Sequence, residues 1–282
     1  MIAQKIRGIW NPELYHGWGK KKRFFEGWYY KIVSKDEKNA FAFIPGIAMD
    51  ENGKKQAFIQ TLNGKKTTSE FIKYPFESFK ANSKKHIIEI DKNRFTTNSI
   101  DLHLENIEGS LKFQNVTPWS SSFFSPGIMG PFSFVPYMEC YHGILSMDHS
   151  ITGKLLIKGE KVDFTGGRGY TEKDWGHSFP IGYVWMQSNH FSEPKISFKC
   201  SIAKIPFKIF SFNGFIAGIW LKNKLIEFTT YNFSKVKKCN INKKKVEIII
   251  LSSKLLENIP FISPAREKRK LQRKTVKIAR AG

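Results

Sequence analysis

The sequence predicts an all-β protein made of two β-rich halves. Three observations carry this: segments of alternating apolar and polar residues recur at short intervals, turn dipeptides separate them, and helical periodicity is scarce. In the first half the segments are 27–33, 40–48, 56–62, 100–104 and 110–116, all rich in Phe, Ile, Val and Tyr. Asn52-Gly53 and Asn63-Gly64 lie between them, and both residue types tolerate the positive φ that tight hairpin turns require. In the second half the segments are 141–147, 153–157, 162–164, 183–189, 196–203, 215–221, 225–231 and 246–251, with a hairpin turn at Lys158-Gly159-Glu160-Lys161. A helix is expected only over 265–279, which is charged enough to form a solvent-exposed helix or a frayed tail.

Residues 117–136 divide the halves. Pro118, Pro126, Pro131 and Pro136 exclude a helix or a central strand there. The same stretch carries Trp119, Phe123, Phe124, Phe132 and Phe134, so it is expected to pack into the crevice between the halves. The expected organisation is an N-terminal domain over 1–135, a C-terminal domain over 136–264 and a basic tail over 265–282. Many short strands at regular spacing suit sandwiches or barrels, whose interior either holds one small apolar ligand or is filled by its own side chains. The strand pattern leaves both open.

Composition narrows the class. The chain has 282 residues, 41% hydrophobic and 15% aromatic with 25 Phe, which is ample material for packed cores and excludes general disorder. The net charge is +22, from 46 Lys and Arg against 24 Asp and Glu. Much of the excess sits in runs at 20–23, 235–245 and 266–280, which read either as solvated faces or as a basic patch for an acidic membrane surface. No recognised nucleic-acid motif accompanies the charge, so no specific nucleic-acid partner is expected. Cys140, Cys200 and Cys239 form neither a disulfide framework nor a zinc cassette and fit a reducing compartment. The first residues lack a continuous apolar run and no stretch of 18 apolar residues occurs, so the expected location is cytoplasmic, with at most peripheral membrane contact.

Two clusters stand apart from ordinary strand sequence. The first is Phe24-Phe25-Glu26-Gly27-Trp28-Tyr29-Tyr30-Lys31. Alternation places Trp28 and Tyr30 on one face and Tyr29 and Lys31 on the other. If the strand continues across Gly27, Glu26 shares the Trp28 face, where burial would raise its pKa; the alternative is an edge strand with a solvent-facing glutamate. The second cluster runs from Gly166 to Pro180 and gathers Arg168, Tyr170, Glu172, Lys173, Asp174, Trp175 and His177 within ten residues, at what reads as a strand-to-loop transition. Its glycines match neither a Walker loop nor a dinucleotide fingerprint, which sets nucleotide binding aside. His142, His149, His177 and His190 follow no metal-ligand spacing, so no metal is expected. Cys140 and His142 point to one strand face but lack an orienting third group in sequence, so covalent catalysis has little support.

The FFEGWYYK block, together with GRGYTEKDWGHSFP and the following YVWMQSNHF, resembles the tocopherol cyclase family over roughly residues 11–264. Related bacterial proteins include carotenoid hydratase-like enzymes. The resemblance implies two tandem lipocalin-like antiparallel β-barrels or half-barrels. It also implies an intramolecular cyclisation without a cofactor, in which an acid protonates a prenyl alkene and the phenol oxygen captures the cation to close a chromanol. Such chemistry needs a dry, aromatic-walled cavity.

On that reading Asp174 is the first candidate acid and Glu26 the second, with Tyr170 and His177 holding or deprotonating the phenol. Trp28, Tyr30, Trp185 and Trp119 would face the cation, Gln187 and Asn189 would bind the head group, and Arg168, Lys173 and Trp175 would complete the site. The partner implied is an apolar prenyl lipid. The alternatives are a non-catalytic lipocalin-like carrier of an isoprenoid lipid, and hydration in place of cyclisation. The basic run 266–282 departs from the family pattern, since further strands are expected there to finish the second half.

Overall fold

A computed structural model describes residues 2–180, 182–193, 195–207, 210–242, 246–252 and 274–279. The first element is one the sequence reading omits: helix α1, Ile2–Trp10. Its apolar residues recur at helical spacing, but nine residues are too few for periodicity to stand out from strand alternation.

Twelve strands then form one antiparallel sheet: β1 Phe24–Val33, β2 Ala40–Met49, β3 Lys55–Asn63, β4 Thr68–Tyr74, β5 Phe79–Ala81, β6 Ile87–Ile90, β7 Asn93–Thr96, β8 Ser99–Leu104, β9 Ile107–Gln114, β10 Cys140–Ile157, β11 Glu160–Asp163 and β12 Arg168–Gly176. The spatial order is β4-β3-β2-β1-β12-β10-β9-β8-β7-β6-β5, with β11 paired to β10. The sheet is curled, because Ile59 on β3 and Ile88 on β6 pack in one core although seven strands lie between their places in that order. Among the described residues no pairing joins β4 to β5, so the barrel stays open. The expected boundary at 135/136 falls between β9 and β10, which are neighbours in this sheet.

Turn chemistry accounts for several connections. Lys158 and Gly159 both take positive φ, 51° and 82°, in the two-residue turn that joins β10 to β11. Gly53 also sits at positive φ. Gly64 does not; the longer 64–67 loop is closed instead by the Asn63 side chain, which accepts from the Lys65 and Lys66 N–H groups.

Two smaller sheets follow. Strands β13 Tyr183–Ser188, β14 Ser197–Phe207, β15 Phe210–Leu221 and β16 Lys224–Thr229 run in sequence order, and β17 Lys235–Ile241, β18 Val246–Ser252 and β19 Lys274–Ala279 form the other sheet. Ile248 and Ile250 of β18 pack with Cys200, Phe215 and Phe228, so these two sheets share a core. The helix or frayed tail expected over 265–279 is therefore corrected at its end, because 274–279 pairs with β18 as a strand. Three of those six residues, Thr275, Val276 and Ile278, are β-branched, a composition that suits a ladder better than a helix. The rest of that expectation, 265–273, lies outside the described residues.

The inside of the curled sheet is filled. Trp28, Tyr30, Ile32, Phe43, Phe95 and Phe113 occupy it with their neighbours. The outer face of β1, β10 and β12 is also apolar, carrying Tyr29, Ile144, Met147 and Tyr170, and the four-stranded sheet covers it with Trp185, Ile216 and Trp220. Trp119 and Ile128 from the 117–136 connection are buried in that crevice, as expected for Trp119, whereas Phe123 and Phe124 are exposed. A ligand space therefore has to be sought between the sheets. Among the described residues no helix is long and apolar enough to cross a membrane.

Candidate active site

The second motif cluster is a central strand, not a loop: β12 pairs with β1 on one side and β10 on the other. Alternation splits its side chains between two environments. Tyr170, Glu172 and Asp174 point outward to the crevice, while Thr171, Lys173 and Trp175 point to the filled interior.

The register sets His142 of β10 opposite Asp174, so the two side chains share the crevice face. His142 Nδ1 is hydrogen-bonded to Asp174 Oδ1 at 2.6 Å. Its Nε2 lies 3.5 Å from Glu172 Oε2, a distance that places the groups in contact without a well-formed hydrogen bond. Glu172 Oε2 in turn accepts from the Tyr170 O–H at 2.6 Å and from the Trp185 indole N–H at 3.1 Å. Burial pushes the Glu172 carboxyl above its ordinary range and outweighs the opposing pull of His142; Asp174 adds to the rise, while Lys199 and the Tyr170 hydrogen bond oppose it. Burial, above all, pushes the Tyr170 hydroxyl well above its ordinary range and keeps it a protonated donor.

These groups back a pocket of about 150 Å³ between the sheets. Cys140, His142 and Asp174 form one side; Tyr183, Trp185, Ala203, Ile205, Phe215 and Ile216 form the other. Met129, Phe132 and Met138 of the connecting segment close an end. Among the described lining residues Asp174 is the one carboxyl, set in walls that are mostly hydrocarbon and aromatic. The volume is below the ~300–1,000 Å³ usual for whole drug-sized ligands, so it suits the reacting end of a longer molecule.

The structure brings Asp174, Tyr170 and Trp185 of the sequence candidates together here. Trp119 is packed in the same crevice. The others lie elsewhere. Glu26 does share the Trp28 face, as alternation predicts, but that face is the filled interior. Its carboxylate meets Lys173 Nζ at 2.5 Å and accepts from the backbone N–H of His16 at 2.8 Å and of Gly17 at 3.0 Å. Burial alone would raise its pKa; the Lys173 ammonium and His16 outweigh burial and hold it below the usual range, so Glu26 is an ion and not an acid.

Lys173 is equally buried, with its ammonium 4.7 Å from the centres of both the Trp28 and Trp175 rings. The Trp28 indole donates to Glu13 O, the Tyr30 hydroxyl to Thr96 O, and Trp175 stacks on His16, so none of these rings faces the crevice.

Arg168 is held by Asp148 in a two-point ion pair. Gln187 and Asn189 both accept from Lys31 Nζ, at 2.7 and 3.1 Å, and so brace β13 against β1 instead of lining the pocket. His177 is exposed just past the end of β12. The histidine that meets Asp174 is His142, whose missing third group is supplied across the sheet. Its signal was the Cys140-x-His142 spacing matched to Tyr170-x-Glu172-x-Asp174, two period-two patterns that only the register joins.

Lys199 was also missed. It is fully buried on β14, donates to Ser201 Oγ at 3.0 Å, and is pulled down by burial while Glu172 and Asp174 pull it up. Among the described residues no three metal-ligating side chains converge.

Fold and site together define an all-β protein with an acid–imidazole pair in an apolar crevice between antiparallel sheets. The family model described as tocopherol cyclase-like matches residues 105–238, a span that includes His142 and Asp174. The 24–31 block lies outside the matched span. Among solved structures, CghA with Sch210972 is similar at a TM-score of 0.50 with 10% identity, covering 86% of this chain and 79% of that one. Kievitone hydratase from Nectria haematococca gives a TM-score of 0.43 with 11% identity, covering 85% and 80%. At 10% identity the similarity to CghA establishes the fold alone. No curated protein sequence matches the chain.

Proposed function

We propose that the chain is a cofactor-independent, tocopherol cyclase-like enzyme that closes a prenylated phenol or quinol into a chromanol. The observation that carries the reading is the single carboxyl in the apolar pocket wall, hydrogen-bonded to His142 at 2.6 Å. In water a tertiary carbocation is trapped at once, so the acid has to act where water is excluded and aromatic faces are near. Trp185, Phe215 and Phe132 supply those faces.

The steps balance without a co-reactant. The Asp174–His142 pair gives one proton to the alkene carbon that leaves the more substituted cation. The phenol oxygen attacks that cation, a C–O bond forms, and the phenolic proton returns to the pair. Glu172 stands behind His142, 3.5 Å from its Nε2, while its own hydrogen bonds are with Tyr170 and Trp185, so the contact along which the imidazole exchanges a proton is the one with Asp174. The substrate's reacting end occupies the 150 Å³ pocket and its remaining tail extends past the mouth. A carrier that binds the same lipid without chemistry gives this acid–base relay no task.

The test is incubation of the purified protein with prenylated hydroquinones of several chain lengths, read by mass spectrometry. A chromanol of unchanged mass is the expected product. A product heavier by one water would assign hydration, and no product at any length would overturn the enzymatic reading in favour of the carrier.

A further inference from the structure

Several of the large apolar side chains left in solvent lie on α1, on the segment that follows Phe123 and at the pocket mouth. In α1, Ile2, Ile6 and Trp10 recur at every fourth position and share one stripe, and Ile2 and Ile6 are both more than half exposed. Trp10 stacks on Phe123 at 5.5 Å and meets Phe134 edge-on at 5.7 Å. Phe123 meets Phe124 at 5.1 Å, and these two rings are 68% and 78% exposed. The same segment continues to Phe132 and Met138 in the pocket wall. Between them Tyr137 is 93% exposed and held at φ 61°, a left-handed conformation that is unfavourable for an aromatic residue. Phe179 and Tyr183 line the pocket and are themselves mostly exposed, so they mark the mouth.

Single exposed hydrophobic residues need no explanation, but a set that leads from a helix to the opening of a ligand pocket does. We propose that this face docks on an anionic lipid bilayer, with α1 lying in the interface and the pocket mouth turned towards the lipid. A helix of nine residues is about 14 Å long and cannot span a bilayer, whereas one with an apolar stripe and basic flanks suits its surface. Lys5 and Arg7 are the charged residues of α1. The chain's net charge of +22 attracts anionic lipid and repels a second copy of itself. The choice of a bilayer over a soluble partner rests on the prenyl-lipid reading above, because substrates of that class dissolve in membranes.

The test is flotation of the full chain with vesicles of phosphatidylcholine alone or with one third phosphatidylglycerol, for the wild type and for Phe123→Ser/Phe124→Ser. Both rings are exposed, so the variant should fold, and an unchanged melting temperature checks this. The wild type is expected to float with anionic vesicles and to be released by salt. The double variant should bind about a hundredfold more weakly, from roughly tenfold for each ring no longer moved out of water. Equal flotation of both proteins, or none of either, would overturn the proposal; so would a wild-type dimer that the variant dissolves, which would assign the face to a second copy. Flotation needs no turnover, so absence of chromanol leaves the docking result standing. Conversely, a variant that fails to float but still cyclises detergent-dispersed substrate separates docking from chemistry.

Discussion

Replacing Glu26 by Gln is expected to remove about 3–5 kcal/mol of folding stability while leaving the turnover of each folded molecule unchanged. The magnitude follows from the geometry. Lys173 Nζ and Glu26 Oε1 are 2.5 Å apart and both side chains are fully buried. At an effective dielectric near 20 their attraction is about 7 kcal/mol, offset by the cost of withdrawing two ions from water. Glu26→Gln keeps an acceptor for the His16 and Gly17 N–H groups but abolishes the attraction, leaving the buried ammonium without its counter-charge, held by the Leu14 carbonyl, His16 Nδ1 and the Trp28 and Trp175 faces.

Adding Lys173→Met removes the orphaned charge and places an unbranched apolar chain between the two rings, so the double variant should recover most of the loss. The folded-state pKa of Glu26 is depressed, so its contribution is present above its unfolded value near 4.5 and is lost as pH falls through the lower folded value. The gap between wild type and Glu26→Gln should therefore close in acid. Urea unfolding at neutral and acid pH measures the stabilities, and chromanol formation measures the activity. A single variant that loses less than about 1 kcal/mol would refute the buried-pair argument. A stable double variant without turnover would return Glu26 or Lys173 to the chemistry.

Asp174→Asn keeps the shape of the pocket wall but removes its exchangeable acid; turnover should fall by about 10²–10⁴, or roughly 3–5 kcal/mol in the barrier, with ligand affinity nearly unchanged. A fall of less than tenfold in single-turnover assays would place the acid elsewhere. Glu172→Gln should stabilise the fold at neutral pH, because a carboxyl whose folded pKa is raised contributes stability that is full below about 4.5 and lost as pH rises through the folded value. Thermal melts of the two proteins should converge at low pH, and a gap that persists there would contradict the assignment. Gly218→Ala drives a Cβ into the Trp119 ring and should cost about 1–3 kcal/mol by overpacking the crevice, read as a lower melting temperature.

The strand pattern made the all-β class legible, since alternation is local and survives whatever packs against it. It also sorted the faces correctly: Trp28 with Tyr30 and Glu26, Tyr29 with Lys31. It could not say which face would hold the site. Glu26 and Trp28 looked like an acid in an aromatic pocket, and they are one, but the pocket is filled and the acid is neutralised by Lys173. Gln187 and Asn189 looked free to bind a head group until Lys31, distant in sequence, proved to occupy them. The short α1 and the strand at 274–279 escaped because few residues carry each pattern.

By itself the sequence gathered Tyr170, Glu172, Lys173, Asp174 and Trp175 at what reads as a strand-to-loop transition; once that stretch is a strand, successive residues must alternate, with Tyr170, Glu172 and Asp174 on one side and Lys173 and Trp175 on the other. Only the tertiary structure decided that the first side borders a crevice and the second a packed core, and that His142 stands opposite Asp174. That depends on which strands pair, in what register, and which sheet covers the outer face. Those choices are fixed by contacts between residues far apart in the chain, which no local pattern encodes.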